Sequence, residues 1–328
     1  MRGVAVAVSG GGDSIALMHL LADWARRKRK APPVILTVDH GLTPGSDAVA
    51  RQVAARARRL GLEAHVLAWK GRKPQGDIEA AARAARYGLI GAWCVKNKIA
   101  VLFVGHTRDD QAETFLLRLA RGSGLDGLAA MRVLAPYPDA DYAGLFLARP
   151  LLDLPRQALR DFLAEKGEGW NEDPMNGEAR FARVRIRAAL AALEEAGLTA
   201  GRIADAARHL ARAREALEIV TRAVLRRACR AENGAIALDP AALSAAPREV
   251  GLRALAAVLM RVSGRFYRPR FEALERLFAA LEGQKLGGGC TLHGCRIGPA
   301  PRNGAVFGAG TVLIRPEVPR KRLKNVPR

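Results

Sequence analysis

The chain has 328 residues, 49% of them hydrophobic, and this length predicts two domains with sizeable cores. Its formal net charge of +21 predicts attraction to a polyanion such as nucleic acid, with a merely solvated basic surface as the alternative. Four scattered cysteines without a CxxC pair argue against a zinc ribbon, an iron–sulfur site or a disulfide framework, and no apolar run reaches the roughly 18 residues of a membrane span.

The first half of the chain alternates short apolar runs with longer helical patterns, which is typical of βαβ units and a parallel sheet. Strands are predicted at residues 3 to 8, 34 to 39, 63 to 68, 100 to 105 and 144 to 149. Helices are predicted near residues 14 to 30, 46 to 60, 77 to 97 and 109 to 119, with a further helix opening near Pro155. The predicted fold class is α/β, with a doubly wound, mainly parallel, Rossmann-like sheet of five strands.

The composition changes at about residue 199, where a long stretch rich in Ala and Arg begins. Helices are predicted after it near 240 to 262 and 267 to 282. Gly287 to Gly289 and the alternating runs up to residue 314 predict a small β region. The predicted domains are therefore 1 to 198 and 199 to 328, the second smaller and mostly helical. The last residues form a basic tail, either a phosphate-contacting arm or a solvated one, which holds Arg320, Lys321, Arg322, Lys324 and Arg328.

A glycine-rich turn follows the first predicted strand, with the sequence Ser9-Gly10-Gly11-Gly12-Asp13-Ser14. Glycines allow close backbone approach, and N–H groups at a helix start favour an anion, so this turn predicts phosphate binding. A simple connection is the alternative. A Walker loop would need a lysine where Asp13 stands, and the spacing is not that of a dinucleotide fold.

Polar residues also follow the second and fourth predicted strands. Asp39 and His40 end the second, and His106 precedes Asp109, Asp110 and Glu113 after the fourth. Residues at the carboxyl ends of parallel strands line the ligand crevice. Asp110 and Glu113 share a helix face, so the acids can bind a metal ion or an ammonium group. Compensation of the helix dipole is the alternative, but it leaves His106 unexplained.

The pattern Ser-Gly-Gly-x-Asp-Ser resembles the ATP pyrophosphatase, or PP-loop, family. The resemblance implies that Ser9, Gly10, Gly11, Gly12, Asp13 and Ser14 hold the pyrophosphate portion of ATP. It also implies that Asp13 helps to place Mg²⁺, while AMP is transferred to an oxygen of the substrate.

Further motifs over about residues 1 to 190 resemble the tRNA(Ile)-lysidine synthetase family. They are Asp39 to Leu42, Ala82 to Tyr87, Gly105 to Thr114, Arg121 to Leu128, Arg149 to Leu152, Trp170 with Asp173, Pro174 and Asn176, and Arg183 to Arg187. One departure is Val184, where the family usually has Asn. A mobile loop is expected at Gly122 to Leu128, with a plain surface connection as the alternative.

The resemblance implies an ATP-dependent ligase that adenylates the C2 oxygen of the wobble cytidine in the CAU-anticodon isoleucine tRNA, after which L-lysine displaces AMP. It implies catalytic roles for Asp13, Asp39, His40, Asp110 and Glu113. Lysine binding is expected at Asp110, Glu113, Arg83 and Arg86, and tRNA binding at Arg121, Arg183, Arg185 and Arg187. We also expect the second domain to bind the body of the tRNA through Arg212, Arg214, Arg222, Arg226 and Arg227.

The cofactors expected from the resemblance are ATP and Mg²⁺, and the compartment expected from cysteine usage and the unremarkable N-terminus is the cytoplasm. A homodimer is compatible with the sequence. The nearest rival is a tRNA thiolase of the same superfamily, which needs cysteines to carry sulfur. A second rival is a non-catalytic RNA-binding protein that keeps the nucleotide-binding fold as a scaffold.

Overall fold

The computed structural model describes residues 3–71, 73, 76, 78–171, 182–232, 234–265, 267–301 and 305–317. The chain divides into two compact units, Met1–Ala211 and Arg212–Arg328. The division lies inside a long helix, whereas the boundary predicted after residue 198 lies just before that helix begins. The predicted basic tail and the motif residues Asp173, Pro174 and Asn176 lie outside the described residues.

A six-stranded sheet forms the centre of the first unit, with the strand order β3-β2-β1-β4-β6-β5. All neighbouring strands are parallel except β5 and β6. The strands are β1 Gly3–Ala7, β2 Val34–Asp39, β3 Ala64–Ala68, β4 Ile99–Val104, β5 Leu134–Pro136 and β6 Phe146–Ala148. The doubly wound, mainly parallel fold is confirmed. The predicted count of five strands was short by β5, a three-residue edge strand ending in proline that is too short to show a period.

Helices cover both faces of this sheet, because the strand side chains alternate between two apolar cores. On β1, Val6 and Val8 face one core, whereas Ala5 faces the other. Helices α1, α2 and α6 pack on the first core and α3 packs on the second. The helices are α1 Gly12–Arg27, α2 Ser46–Arg59, α3 Ile78–Lys96, α4 Arg108–Leu119, α5 Leu125–Leu128, α6 Arg156–Glu165 and α7 Ala182–Glu195, and α8 Ala200–Ala228 contains the division between the units.

The strand order fixes where a ligand crevice forms. The chain passes from β1 outward to β2 and β3, and then returns to the other side of β1 as β4. Beside β1, the loops that follow β1 and β4 therefore diverge to opposite faces, which is the switch point where α/β sheets bind ligands. Gly105 follows β4 at this point. A Cβ atom there would lie 2.9 Å from the carbonyl oxygen of Asp13, so the glycine lets the two segments meet.

The second unit contains an antiparallel five-stranded sheet with the order β7-β8-β11-β10-β9. Its strands are β7 Cys229–Glu232, β8 Ala235–Leu238, β9 Cys290–Leu292, β10 Cys295–Pro299 and β11 Val312–Pro316. Its helices are α9 Pro240–Ser244, α10 Arg248–Ser263 and α11 Phe271–Glu282. The small β region is confirmed and is larger than predicted, because the four-residue strands β7 and β8 were not predicted. None of the described helices is both long and apolar enough to cross a membrane.

The close approach at Gly105 predicts a stability effect. Gly105→Ala places a methyl group against the backbone of Asp13, so we expect the free energy of unfolding to fall by about 1–3 kcal/mol. Gly88→Ala is the matched control. Gly88 lies inside α3 with open space around it, so alanine there should leave stability unchanged or raise it by up to about 1 kcal/mol. Urea denaturation measures both, and equal stabilities of Gly105→Ala and the parent would contradict the steric argument.

Candidate active site

The turn after β1 is organised by its two serines. The Ser14 hydroxyl donates to the carbonyl oxygen of Gly11 (2.8 Å) and accepts from the backbone N–H of Ser9 (3.2 Å), and the two serine oxygens lie 3.3 Å apart. Helix α1 follows with Gly11 as its N-cap, and no side chain caps it. Because the first N–H groups of a helix have no partner within the helix, this end suits an anion.

Glycines in this turn allow close approach of neighbouring segments. Gly10 has a φ of +95°, and a Cβ there would lie 3.0 Å from Val49. A Cβ at Gly12 would lie 3.4 Å from the ring of Trp170. The segment of Trp170 is also tied to the turn, since the N–H of Asn171 donates to the carbonyl oxygen of Gly10 (3.0 Å). This glycine-rich turn, the predicted phosphate-binding turn, is thus held by two other parts of the first unit.

Helix α4 begins directly after β4 and carries the predicted acids. Thr107 is its N-cap, and Asp110 completes a capping box, with the N–H of Thr107 donating to Asp110 Oδ2 (2.8 Å). The alternative interpretation was that these acids compensate the dipole at the start of the helix. Because Asp110 caps α4, this structural role explains part of its presence here. Glu113 lies one turn further and is 1% exposed. A buried carboxylate must have a charged or hydrogen-bonding partner, because isolation from water is costly.

That partner is Arg156, the first residue of α6, which the sequence reasoning missed. Its Nε lies 3.1 Å from Asp13, its Nη2 lies 3.1 Å from Asp110, and its Nη1 lies 3.4 Å from Glu113. One guanidinium therefore joins three carboxylates from the starts of α1 and α4. We refer to Asp13, Asp110 and Glu113 as the carboxylate cluster.

Arg187 on α7 is a second cation at the carboxylate cluster. Its Nε lies 2.6 Å from Glu113 Oε1, and its Nη2 lies 3.4 Å from Oε2. Arg187 was predicted to bind tRNA, and this contact stays a prediction. The structure pairs its guanidinium with the buried carboxylate of Glu113. Asp109 accepts from the backbone N–H of Arg156 (2.7 Å) and thereby fixes the beginning of α6.

The charges in the cluster influence one another. Burial raises the pKa of Asp13, and the ion pair with Arg156 opposes that rise. Burial disfavours the charged form of Arg156, but Asp110, Asp13 and Glu113 outweigh it and raise the pKa of Arg156. The guanidinium therefore stays charged and supplies positive charge beside the three carboxyl groups.

His106 marks the start of a basic region beside the acids. Its Nδ1 accepts from Arg149 Nε at 3.3 Å. Burial lowers the pKa of His106 to about 4; Asp110 opposes this shift, and the positive charges of Arg149, Arg183 and Arg83 add to it. His106 is consequently neutral at neutral pH. The arginines around it suit an anionic substrate.

Asp39 and His40 lie at the same carboxyl edge of the sheet, where they shape the loop between β2 and α2. Asp39 Oδ1 accepts from the hydroxyl of Ser46 and from the N–H of Gly41 (3.0 Å). His40 Nδ1 accepts from the N–H of Leu42 (3.1 Å). Within the described residues, no hydrogen bond or ion pair joins either side chain to the carboxylate cluster.

The remaining predicted arginines are spread over three segments of the first unit. Arg83 and Arg86 lie on α3, where the guanidinium of Arg83 is stacked on Tyr87. Desolvation, together with the like charges of Arg83 and Arg183, lowers the pKa of Arg86. Arg121 is exposed just after α4. Arg183 and Arg185 lie in the first turn of α7, with Arg185 the more exposed.

The donor set fits a magnesium nucleotide better than a stand-alone metal site. Among the described residues, no group of three or more His, Cys, Asp or Glu side chains is placed to hold a metal ion. Mg²⁺ is usually bound by one or two carboxylates together with substrate phosphates. Asp13, in the first turn of α1 beside the phosphate-binding turn, is placed for that role.

One signal in the sequence could have revealed Arg156. Pro155 predicts a helix start, and a cation in the first helical turn is disfavoured by the helix dipole. An arginine there implies that acidic groups from elsewhere compensate it. Arg149, which follows a short strand, belongs to the motif Arg149 to Leu152 that carried the family resemblance, but no role was predicted for it.

The depressed pKa of His106 predicts a pH effect on stability. Between pH 6.5 and about 4 the unfolded chain takes up a proton that the folded chain does not, so acidification over this window destabilises the fold. His106→Gln retains an acceptor for Arg149 and cannot titrate. From pH 7 to pH 4 the parent should lose about 1–3 kcal/mol more than His106→Gln in urea denaturation. Parallel losses in the two proteins would show that His106 is not buried in its neutral form.

Comparisons with known proteins agree with this geometry. A model of the PP-loop domain matches residues 1–194. The tRNA(Ile)-lysidine synthase of Ruegeria pomeroyi is 42% identical over 89% of this chain and 69% of its own length. That of a Methylobacterium strain is 41% identical over 98% and 91%. A U34-tRNA thiolase from Methanococcus maripaludis shares the fold, with a TM-score of 0.51 and 16% identity over 66% of this chain and 72% of the thiolase. The chain therefore belongs to the PP-loop family and, within it, to the tRNA(Ile)-lysidine synthase family.

Proposed function

We propose that this chain is an ATP-dependent ligase that converts the wobble cytidine of the CAU-anticodon isoleucine tRNA into lysidine in the cytoplasm. ATP adenylates the C2 oxygen of the base, and free L-lysine then displaces AMP. The modified anticodon reads AUA instead of AUG and identifies the tRNA as an isoleucine acceptor. The observation that carries the proposal is the meeting of a phosphate-binding turn with buried carboxylates and a basic region at one switch point.

One part of the site binds the anionic phosphates, and the other binds the cationic lysine. The turn from Ser9 to Ser14 and the N-terminus of α1 hold the phosphates of ATP, whose α-phosphate makes the base oxygen a good leaving group. Mg²⁺ would be held by Asp13 together with the phosphates. Asp110 and Glu113 bind the ammonium group of lysine, because a charged hydrogen bond to a buried carboxylate is strong. Arg83 and Arg86 position lysine or the activated base, and Arg183 contacts the RNA.

The amine that attacks must be neutral, so a group at the site accepts a proton from lysine. Two acids of the site, Asp39 and Glu113, are candidates for this step. Glu113 already binds two guanidinium groups, whereas Asp39 Oδ2 has no protein partner among the described residues. This difference favours Asp39.

The thiolase rival is disfavoured by the placement of the cysteines. All four are free, and Cys94 and Cys295 are buried. Burial raises the pKa of Cys94 to about 12 and that of Cys229 to about 11, which suppresses the thiolate form that carries sulfur. The cysteines lie on separate elements, with Cys94 in α3 and Cys229 in β7.

The second unit carries its own surface for an RNA backbone. Arg296 on β10 lies directly opposite Arg315 on β11, and both side chains are exposed. Like charges that face each other across strands are destabilising, and a phosphate chain would relieve the repulsion. Within the described residues, neither guanidinium has an ion pair. Thr291 continues the row on β9 and lines a groove with Arg276 and Lys285.

The helical arginines of the second unit differ among themselves. Arg212, Arg222, Arg226 and Arg227 are exposed and remain proposed contacts for the tRNA body. Arg214, predicted with them, is 6% exposed and lies 3.9 Å from Glu218, so its position does not suit a phosphate contact.

The facing arginines predict a change in salt dependence. Arg296→Gln or Arg315→Gln should weaken binding of the tRNA and lower the slope of log Kd against log salt concentration by about 1 for each lost phosphate contact. Arg248→Gln is the matched control, because Arg248 is exposed in the same unit but pairs with Glu275 and Glu282. Filter binding from low to moderate salt measures the slopes. Equal slopes for all three variants and the parent would remove the β10–β11 face from the interface.

The function itself is tested with purified protein, ATP, labelled lysine and individual tRNAs. We expect lysine to enter only the CAU-anticodon isoleucine tRNA, with release of AMP and pyrophosphate. Asp13→Asn should lower the rate by at least about 100-fold and leave tRNA binding intact, because it removes the carboxylate proposed to hold Mg²⁺ beside the phosphates. Asp47→Asn changes an exposed acid in the first turn of α2 and should be neutral. ATP-dependent sulfur transfer would favour the thiolase. A parent protein that binds the tRNA but incorporates no lysine and releases no AMP would favour the non-catalytic rival.

A further inference from the structure

The guanidinium of Arg156 fills the space between the members of the carboxylate cluster. Each of its three nitrogens faces a different acid: Nε faces Asp13, Nη2 faces Asp110 and Nη1 faces Glu113. Asp13 stands beside the phosphate-binding turn, whereas the other two acids belong to the side proposed for lysine. A single side chain therefore bridges the two substrate sites.

The position of Arg156 is fixed by its backbone. Its N–H donates to Asp109 (2.7 Å), and the N–H of Arg108 donates to the carbonyl oxygen of Leu154 (2.9 Å), so the beginnings of α4 and α6 are joined. A cation at the beginning of a helix faces the positive end of the dipole. Arg156 is therefore held in this place by the acids rather than by its own helix.

Lysine and Arg156 would compete for the same oxygens. Asp110 Oδ2 accepts from the N–H and the hydroxyl of Thr107, which leaves Oδ1, the oxygen that Arg156 contacts. Glu113 Oε1 is shared between Arg156 and Arg187. An incoming ammonium group needs an oxygen that Arg156 now contacts. It must therefore displace Arg156 from at least one carboxylate before it can form a strong charged hydrogen bond there.

We propose that Arg156 is a positioning residue that couples the ATP site to the lysine site. Without nucleotide its guanidinium occupies the place of the lysine ammonium. A triphosphate in the turn draws the guanidinium toward its oxygens, since an arginine fork pairs with phosphate as well as with carboxylate. Asp110 Oδ1 and the side of Glu113 that faced Arg156 are then open to lysine, while Arg187 stays paired with Glu113. This inference rests on the proposed function, because it takes lysine to be the ligand of these acids.

Coupling between two ligands is reciprocal, which makes the inference measurable by binding alone. Lysine is titrated into the full chain by calorimetry, with and without Mg²⁺ and the non-cleavable analogue α,β-methylene ATP. In the parent, the nucleotide should tighten lysine binding by at least about fivefold, and lysine should tighten nucleotide binding by the same factor.

Arg156→Gln removes the competing cation while keeping a polar side chain. It should bind lysine more tightly than the parent when no nucleotide is present, and the nucleotide should then change its lysine affinity by less than about twofold. A purely structural role would instead weaken lysine binding. Arg156→Lys keeps a cation and should bind lysine without nucleotide as weakly as the parent. Lys166→Gln is the charge-matched control, because Lys166 ends the same helix and pairs with Asp23.

The outcomes separate this inference from the proposed function. Lysine binding in the parent that is indifferent to nucleotide would overturn the coupling, and this result needs no variant to fold. Undiminished coupling in Arg156→Gln would overturn the assignment to Arg156. In both cases the ligase proposal stands. If the parent binds no lysine under any condition, the lysine assignment itself is wrong and the coupling falls with it.

Discussion

Buried carboxylates at the end of a parallel sheet require cations beside them, and this requirement organises the first unit. Glu113 is 1% exposed and Asp110 is 7% exposed, so neither acid can rely on water for its charge. Arg156 and Arg187 supply the compensation from α6 and α7. The acids, the phosphate-binding turn and these helices are thus held in one arrangement by charge as well as by packing.

The electrostatics divide the site into two environments. The carboxylate cluster suits a cation, whereas the region around His106, with Arg149 and Arg183 beside it, suits an anion. A reaction that joins an amine to an activated base of a polyanion needs both environments at contact distance. The strand order provides this proximity, because segments leaving β1 and β4 meet at Gly105.

The sequence predicted the features that are local in the chain. The alternation of strands and helices and the acids that follow β1 and β4 are encoded within a few residues, so spacing was enough to find them. Arg156 was missed because its partner Asp13 lies 143 residues away, and spacing carries no information on such a pair. The sequence indicated Arg187 as a positively charged site residue, but it did not indicate the ion pair with Glu113. The strands β5, β7 and β8 were missed because they are only three or four residues long, and pairing with neighbours rather than a period of their own makes them strands.

Asp110 has two roles, because it completes the capping box of α4 and also belongs to the carboxylate cluster. One oxygen of its carboxylate starts the helix through Thr107, and the other contacts Arg156. Asp110 therefore contributes to the folding of α4 as much as to the carboxylate cluster. Loss of activity on replacing Asp110 would report on both at once, whereas Glu113 has no part in the cap.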